Sequence, residues 1–288
     1  MDHRSLHRRI DQVIDNLPTL SPSVRQIIEL ANDLQASPRD LMNIIKVDPV
    51  LTGKILHLVN SSYFSMQQPI TSLNRSLILL GFNTIKNIAL TTAFVEATAG
   101  IDKNQRFNLE DLWLHLLSVG CLSKIIARHA GQPRSELDEY FIAGLMHDIG
   151  DMILMQAVPD EFQAALSAAT ARQESALACE KAHLNITGPA VGLSIARHWK
   201  LPANLQQVID RNFETSDPMT LNLLHTVYLA DKHCRAAGLG FVSDTRDMTI
   251  TDADLAKAGL SLTAFALAKS ELPAVVEKAK VFINKKGS

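Results

Sequence analysis

A histidine and an aspartate stand side by side at His147-Asp148, at the end of the apolar run from Ala143 to Met146. The pair offers a neutral imidazole nitrogen and an anionic carboxylate oxygen, donor types that a transition ion accepts together. Neighbouring residues on a helix project about 100° apart. The doublet therefore grips one ion only where the helix end faces it, and other helices must complete the coordination. Two residues suit that part. His115 shares a helical face with Leu112 and Val119, which turns it inward, and Asp231 follows Leu229 and Ala230 in an otherwise apolar helical stretch. Burying these groups is costly unless they pair or hold a metal. Each also has a plainer role. An inward His is often a hydrogen-bonded core residue, and a helical Asp often caps or pairs with Arg or Lys. His147-Asp148 could simply end a helix, its carboxylate bonded to nearby backbone N–H groups.

The elements that must position these residues read as helices. Hydrophobic residues make up 47% of the chain and aromatics only 5%, with Ala and Leu abundant, a balance that favours helix over strand. Ser21-Pro22, Ser37-Pro38 and Asp48-Pro49 each precede a helical pattern. The Ser or Asp accepts orphan N–H groups, and Pro fits the first helical position. Val24, Ile27, Ile28, Ala31 and Leu34 form one stripe. An earlier helix carries Leu6, Ile10, Val13, Ile14 and Leu17. Gly81 ends a helix over Leu73–Leu80, and Asn83 is placed to cap the next. The polar stretch Thr98–Asn108 reads as a domain junction. Beyond it, Asn108 caps a long helix to about Ala130, and Ser135 with Asp138 forms a capping-box pattern. Further helices are expected near 160–170, 174–182, 188–198, 203–213, 218–236, 252–258 and 262–284, the last interrupted near Pro273. No alternating strand pattern stands out. The expected architecture is all-α and two-lobed: a short-helix bundle over 1–100, a second helical domain over 101–235, and a C-terminal helical extension over 236–288.

The bulk numbers exclude several classes. Net charge is -2 and the isoelectric point is near 6.5, so no global basicity argues for nucleic acid. Cys121, Cys179 and Cys234 lie far apart, as expected of reduced, buried thiols in a cytoplasmic protein. No signal peptide and no membrane-length apolar run is apparent. Arg4, Arg8 and Arg9, with His3 and His7, make a basic N-terminus; Lys278, Lys280, Lys285 and Lys286 make a basic C-terminus. Solvated helix ends are the ordinary account of both.

Several segments together carry a family likeness. Leu17-Pro18-Thr19-Leu20-Ser21, Asp48-Pro49-Val50-Leu51, Leu58-Val59-Asn60-Ser61-Ser62-Tyr63-Phe64 and Ile70 through Gly81 resemble the N-terminal half of HDOD proteins. These are bacterial signalling relatives of the HD metal-dependent phosphohydrolases. Leu112-Trp113-Leu114-His115, His147-Asp148, Trp199-Lys200-Leu201-Pro202 and Leu229-Ala230-Asp231 resemble the HD-derived half. The likeness runs from about Leu17 to Cys234. It implies that His115, His147, Asp148 and Asp231 form a minimal metal-ligand set. Two imidazoles and two carboxylates suit one divalent transition ion (Mn, Fe, Ni or Zn) better than Mg or Ca. His183 and His225, with His198, lie near these motifs as groups that could orient the ligands; ordinary surface or core positions are the alternative.

Departures from the related HD-GYP phosphodiesterases, which hydrolyse cyclic di-GMP, bear on activity. Gly188 stands where one of their metal-binding histidines would be, Asn212-Phe213 where they carry a His pair, and Asp151 where a Lys usually follows. A two-metal clamp is therefore not expected. No Gly-rich phosphate loop and no Arg pair beside the His-Asp segment is evident; Arg197 and Arg211 are candidates for holding a phosphate, with solvated helix positions as their more ordinary role. The resemblance implies a regulatory signal-transduction module without turnover, acting on a signalling protein or a small nucleotide-like ligand. The alternative is a phosphohydrolase acting on a nucleotide or other phosphoester through one metal. An intermediate case keeps the ion only as a structural staple. With no receiver, sensor or cyclase segment in the sequence, input is expected from a separate molecule.

Overall fold

The computed structural model describes residues 3–17, 20–33, 35–98, 107–214, 217–241 and 248–283. Pro18, Thr19, Leu34, most of the expected junction (99–106), Lys285 and Lys286 lie outside them. Among the described residues the secondary structure is helical, with no strand. The first six helices are α1 (His3–Asp15), α2 (Pro22–Ala31), α3 (Pro38–Lys46), α4 (Pro49–Val59), α5 (Leu73–Leu80) and α6 (Phe82–Thr98), of which α2 to α6 pack on one another while α1 packs against the later helix over Ile149–Ala157. There follow α7 (Leu109–His129), α8 (Leu137–Met146), α9 (Ile149–Ala157), α10 (Pro159–Arg172), α11 (Ala176–Leu184), α12 (Gly188–His198), α13 (Ala203–Asp210) and α14 (Pro218–Ala236). The chain ends in α15 (Asp252–Lys257) and α16 (Leu262–Ala279), with a 3-10 turn over Lys280–Phe282.

The three Pro-led starts form as the sequence dictates. Ser21 accepts from Val24 N, Asp48 from Leu51 N, and Ser37 with Asp40 makes a reciprocal capping box. Asn108 caps α7 by accepting from Glu110 N. Four details differ from the sequence reading. Asn83 is not a cap: Gly81, at φ 83°, turns the chain through 117°, and α6 begins at once with Phe82. Only a glycine adopts that backbone cheaply. Ser135 and Asp138 form no capping box, because the buried Asp138 carboxylate instead accepts from Lys124 Nζ and Thr84 Oγ1, each at 2.6 Å. Pro273 does not interrupt α16. It lies on the exposed face, where water can take the carbonyl its ring leaves without a donor. Finally, α9 is a separate helix that starts directly after His147-Asp148.

Helix α7 is the axis. Its Leu112, Leu116, Leu117, Val119 and Leu122 are fully buried, each worth roughly 1.5–3 kcal/mol of apolar transfer. It packs on α8, α14 and α16. The α7–α8 crossing is made at two glycines: a β-carbon on Gly144 would come 2.7 Å from Gly120 Cα. That close approach brings His115, on α7, level with His147 at the end of α8. A second glycine crossing joins α9 to α12, where a β-carbon on Gly150 would meet Gly188 O at 1.8 Å.

The bundle and the later helices share one continuous buried core. Leu20, Ile28, Leu90 and Phe94 face Ile142, Met146, Trp199 and Leu205 across an apolar seam. Asn32 Nδ2 donates to Lys200 O at 3.1 Å over the same seam. The basic N-terminus is partly used within the chain: Arg9 on α1 donates to Ala157 O and pairs with Glu161 at 2.8 Å. At the other end, Tyr63 and Phe64 meet Phe282, and Tyr63 also meets Phe141 on α8, with ring centroids 5.0–6.4 Å apart. Lys124 Nζ lies 4.8 Å from the Tyr63 ring centre.

Candidate metal centre

Three helices deliver the quartet. His115 comes from α7, His147 and Asp148 from the α8–α9 junction, and Asp231 from α14. All four are buried, and one ligand atom from each lies within 4.8 Å of the others. His147 Nδ1 is 2.6 Å from Gly144 O, which fixes it as the donor and turns Nε2 toward the carboxylates. Nε2 stands 3.3 Å from Asp148 Oδ2 and 3.4 Å from Asp231 Oδ1. His115 Nε2 stands 3.0 Å from Asp231 Oδ1 and 3.9 Å from Asp148 Oδ2. None of these approaches has hydrogen-bond alignment, so both His115 nitrogens and His147 Nε2 are buried without a hydrogen-bond partner. Ligands about 2.1 Å from one ion stand roughly 3.0–3.5 Å apart when adjacent. The donor types and their spacing match those of a one-ion site, though its carboxylates also hold buried arginines. Bound there, such an ion would polarise an oxygen of a substrate or water.

Two arginines complete the cluster. Arg235, one turn after Asp231 on α14, donates through Nε to Asp231 Oδ1 at 2.6 Å and through Nη2 to Asp148 Oδ2 at 2.5 Å. Arg211 Nη2 donates to Asp148 Oδ1 at 2.5 Å. It caps α13 in the left-handed region, at φ 54°, which swings its side chain inward. The sequence reading found no Arg pair beside His147-Asp148 and gave Arg211 a solvated position as its more ordinary role. In space the pair exists, assembled from positions 63 and 87 residues away. Arg197, by contrast, is exposed. A sequence signal for Arg235 was present: it sits at i+4 from Asp231, the spacing of a helical ion pair.

The electrostatics follow. Burial opposes ionisation of Asp148 and Asp231. His147 and the two guanidiniums outweigh it at Asp148, as Arg235 and the imidazoles do at Asp231. Both carboxyls lie well below the usual range. Burial also opposes charge on His147, but the carboxylates push it up to about 9. His115 is held down by burial, so its approach to Asp231 is that of a neutral ring.

Behind the quartet lie two acids whose role the sequence did not reveal. Asp151 and Glu180 are both buried, and Glu180 accepts from Gly188 N at 2.8 Å. Burial, then the neighbouring Asp148 and Glu180 charges, raises Asp151 well above its ordinary value. Burial pushes Glu180 up to about 7. A β-carbon on Gly188 would come 2.0 Å from Asp151 Oδ1, so the Asp151 carboxyl fills the space in front of Gly188.

The outer side of the site opens toward solvent through a small pocket lined by His147, Arg211, Phe213, Val227, Tyr228 and Asp231. His225 stacks on Phe213 at this mouth, with centroids 5.3 Å apart. His183 Nδ1 lies 2.9 Å from Cys179 O, and His198 is exposed. None of these three is hydrogen-bonded or ion-paired to a quartet residue among the described residues.

Comparison with known proteins decides the family. The model of the HDOD domain matches residues 17–214. The chain belongs to the HDOD family. Solved structures similar to this HDOD chain include an HDOD domain protein of unknown function from Geobacter sulfurreducens (22% identical, TM-score 0.76, covering 96% of this chain and 97% of that one). Others are a candidate phosphohydrolase from Shewanella amazonensis SB2B (21%, 0.68, 95% and 98%) and a candidate signal transduction protein from Marinobacter aquaeolei VT8 (18%, 0.72, 99% and 67%). An uncharacterised protein of Treponema pallidum (strain Nichols) is 21% identical over 189 residues, 66% of this chain and 36% of its own length. The match thus spans about a third of that relative. At these identities the structures establish the shared helical fold. Among the described residues, no single helix is long and apolar enough to cross a membrane.

Proposed function

We propose that this HDOD chain is a cytoplasmic signal-transduction module that works by binding a signalling protein or a small nucleotide-like ligand, without turnover. The observation that carries the reading is the Asp151 carboxyl packed against Gly188. A two-metal phosphodiesterase clamps the attacking and leaving oxygens between two ions. Here the position from which a further histidine would reach is a glycine, and the volume before it holds an acid. The ion pairs of Arg211 and Arg235 leave the quartet charge-compensated from within. The Marinobacter protein's description as a candidate signal transduction protein agrees with this reading. The parts proposed for that work are the bundle over 1–100, the HD-like unit over 101–235 and the extension over 236–288.

A second reading is favoured by one feature, the unpartnered nitrogens of His115 and His147. In it, His115, His147, Asp148 and Asp231 hold one Mn, Fe, Ni or Zn ion and the protein hydrolyses a phosphoester, as the Shewanella protein's description suggests of that protein. The two separate in one assay: purified chain with each of these ions and Mg, across a panel of nucleotides and phosphomonoesters. No turnover, with saturable binding to a partner or nucleotide, is the expected result. Turnover lost in His147→Ala would overturn the non-catalytic reading.

A further inference from the structure

We infer that Arg235 is the resident cation of the quartet, its guanidinium holding the place of the transition ion that the four ligands otherwise suit. The inference builds on the non-catalytic reading and is tested apart from it.

The argument turns on which oxygen atoms are engaged. Asp148 Oδ2 and Asp231 Oδ1 are the two oxygens that face the imidazoles, at 3.0–3.9 Å from His115 Nε2 and His147 Nε2. An ion held by two imidazoles and two carboxylates would draw on these same two oxygens. Arg235 already bridges them, through Nη2 at 2.5 Å and Nε at 2.6 Å. A single planar cation thus ties together the carboxylates of α14 and of the α8–α9 junction, the task a metal performs in such a site. The other Asp148 oxygen is no alternative ligand, because Arg211 takes it.

Charge points the same way. The two carboxylates carry two negative charges, and the guanidiniums touching them carry two positive ones. A divalent ion entering beside both arginines would place excess positive charge in a site where the Arg235 side chain is only 3% exposed. Repulsion between buried charges is strong, so the ion and the Arg235 guanidinium compete for the same carboxylates. Arg235 cannot easily withdraw, since it is one turn from Asp231 on the same rigid helix and nearly enclosed. A guanidinium stays charged at any accessible pH, so the site is filled permanently.

The test is metal content. Full-length chain is purified without affinity nickel or added metal, then dialysed against Mn, Fe(II), Ni or Zn, and bound metal is measured by elemental mass spectrometry alongside melting with and without EDTA. Wild type is expected to retain no stoichiometric ion and to melt at the same temperature after chelation. Arg235→Met, which keeps an unbranched stem and removes the guanidinium, is expected to take up about one ion per chain and to melt higher with that ion. Stoichiometric metal in the wild type, or a fall in its melting temperature on chelation, overturns the inference. So does an Arg235→Met protein that folds yet binds none of the four ions. If that variant does not fold even with metal, the wild-type measurement decides alone. Hydrolysis by metal-free wild type would sink the non-catalytic reading and leave the assignment of Arg235 standing.

Discussion

Asp151 and Gly188 are fitted to one another: a β-carbon at 188 would lie 2.0 Å from Asp151 Oδ1 and 3.7 Å from Glu180 Oε2. Gly188→Ala should therefore cost about 1–3 kcal/mol, the usual range for overpacking. Asp151→Ala in the same chain should recover much of that loss, because the residues share one space. Urea denaturation of the two single variants and the double variant checks this; additive losses would mean the contact is not what limits position 188.

Gly150→Ala should do more harm. Its β-carbon would meet Gly188 O at 1.8 Å and Gly192 N at 2.7 Å, and backbone cannot swing aside as a carboxyl can. A loss at or beyond the top of the same ~1–3 kcal/mol range is expected, read as a lowered denaturation midpoint or as absence of soluble protein. A variant as stable as wild type would mean that the α9–α12 crossing is looser than described.

The buried titratable groups make stability depend on pH. Burial pushes Glu180 up to about 7 from an ordinary 4.5, so the folded state holds this proton more tightly, and stability falls as pH rises from about 4.5 through about 7. His147 is raised from 6.5 to about 9. Its contribution is complete below 6.5 and is lost as pH rises through 9. Asp148 and Asp231 are depressed, so their contribution is present above the usual carboxylate range and lost only in stronger acid. Burial lowers His115, which works the other way over part of this range, so the test is a difference between proteins: wild type should lose more melting temperature than Glu180→Gln as pH rises from about 4.5 to about 7. Equal pH profiles for the two proteins contradict the assignment.

Asp151 and Asp148 should respond oppositely to loss of charge. Asp151 is raised well above its ordinary value by burial and by neighbouring carboxylates, so the fold favours its neutral form and Asp151→Asn should cost little stability. Asp148 carries two guanidinium bonds. Asp148→Asn breaks a buried ion-pair network and should cost about 3–5 kcal/mol. Equal losses in the two variants, measured by chemical denaturation at pH 7, would refute the contrast.

Much of this was legible in the sequence because it is local. Ser21, Ser37, Asp48 and Asn108 cap helices through hydrogen bonds to residues two or three positions on, and such contacts need no knowledge of the fold. His115, His147, Asp148 and Asp231 stood out because a charged or polar group on an apolar helical face demands a partner. The identity of that partner was harder to read. Arg211 reaches Asp148 only through a left-handed cap at the end of α13, a conformation with no sequence signature in an arginine. Asp138 matched a cap by spacing, yet tertiary contacts with Lys124 and Thr84 claimed it. Helix α9 was missed because the apolar run continues across His147-Asp148, and periodicity alone does not mark a break inside a continuous apolar stretch.

The contact of Tyr63 with Phe282 has a mechanical consequence. The turn after α4 is held by the last described turn of the chain, while at the opposite end α1 is tied to Ala157 and Glu161 through Arg9. The early helices are thus fastened to the later ones near both ends of the described chain. Removing the Phe282 ring would loosen one fastening without touching the quartet, leaving Arg9, the Tyr63–Phe141 contact, the Thr84–Asp138 bond and the Asn32–Lys200 latch to hold the two halves together.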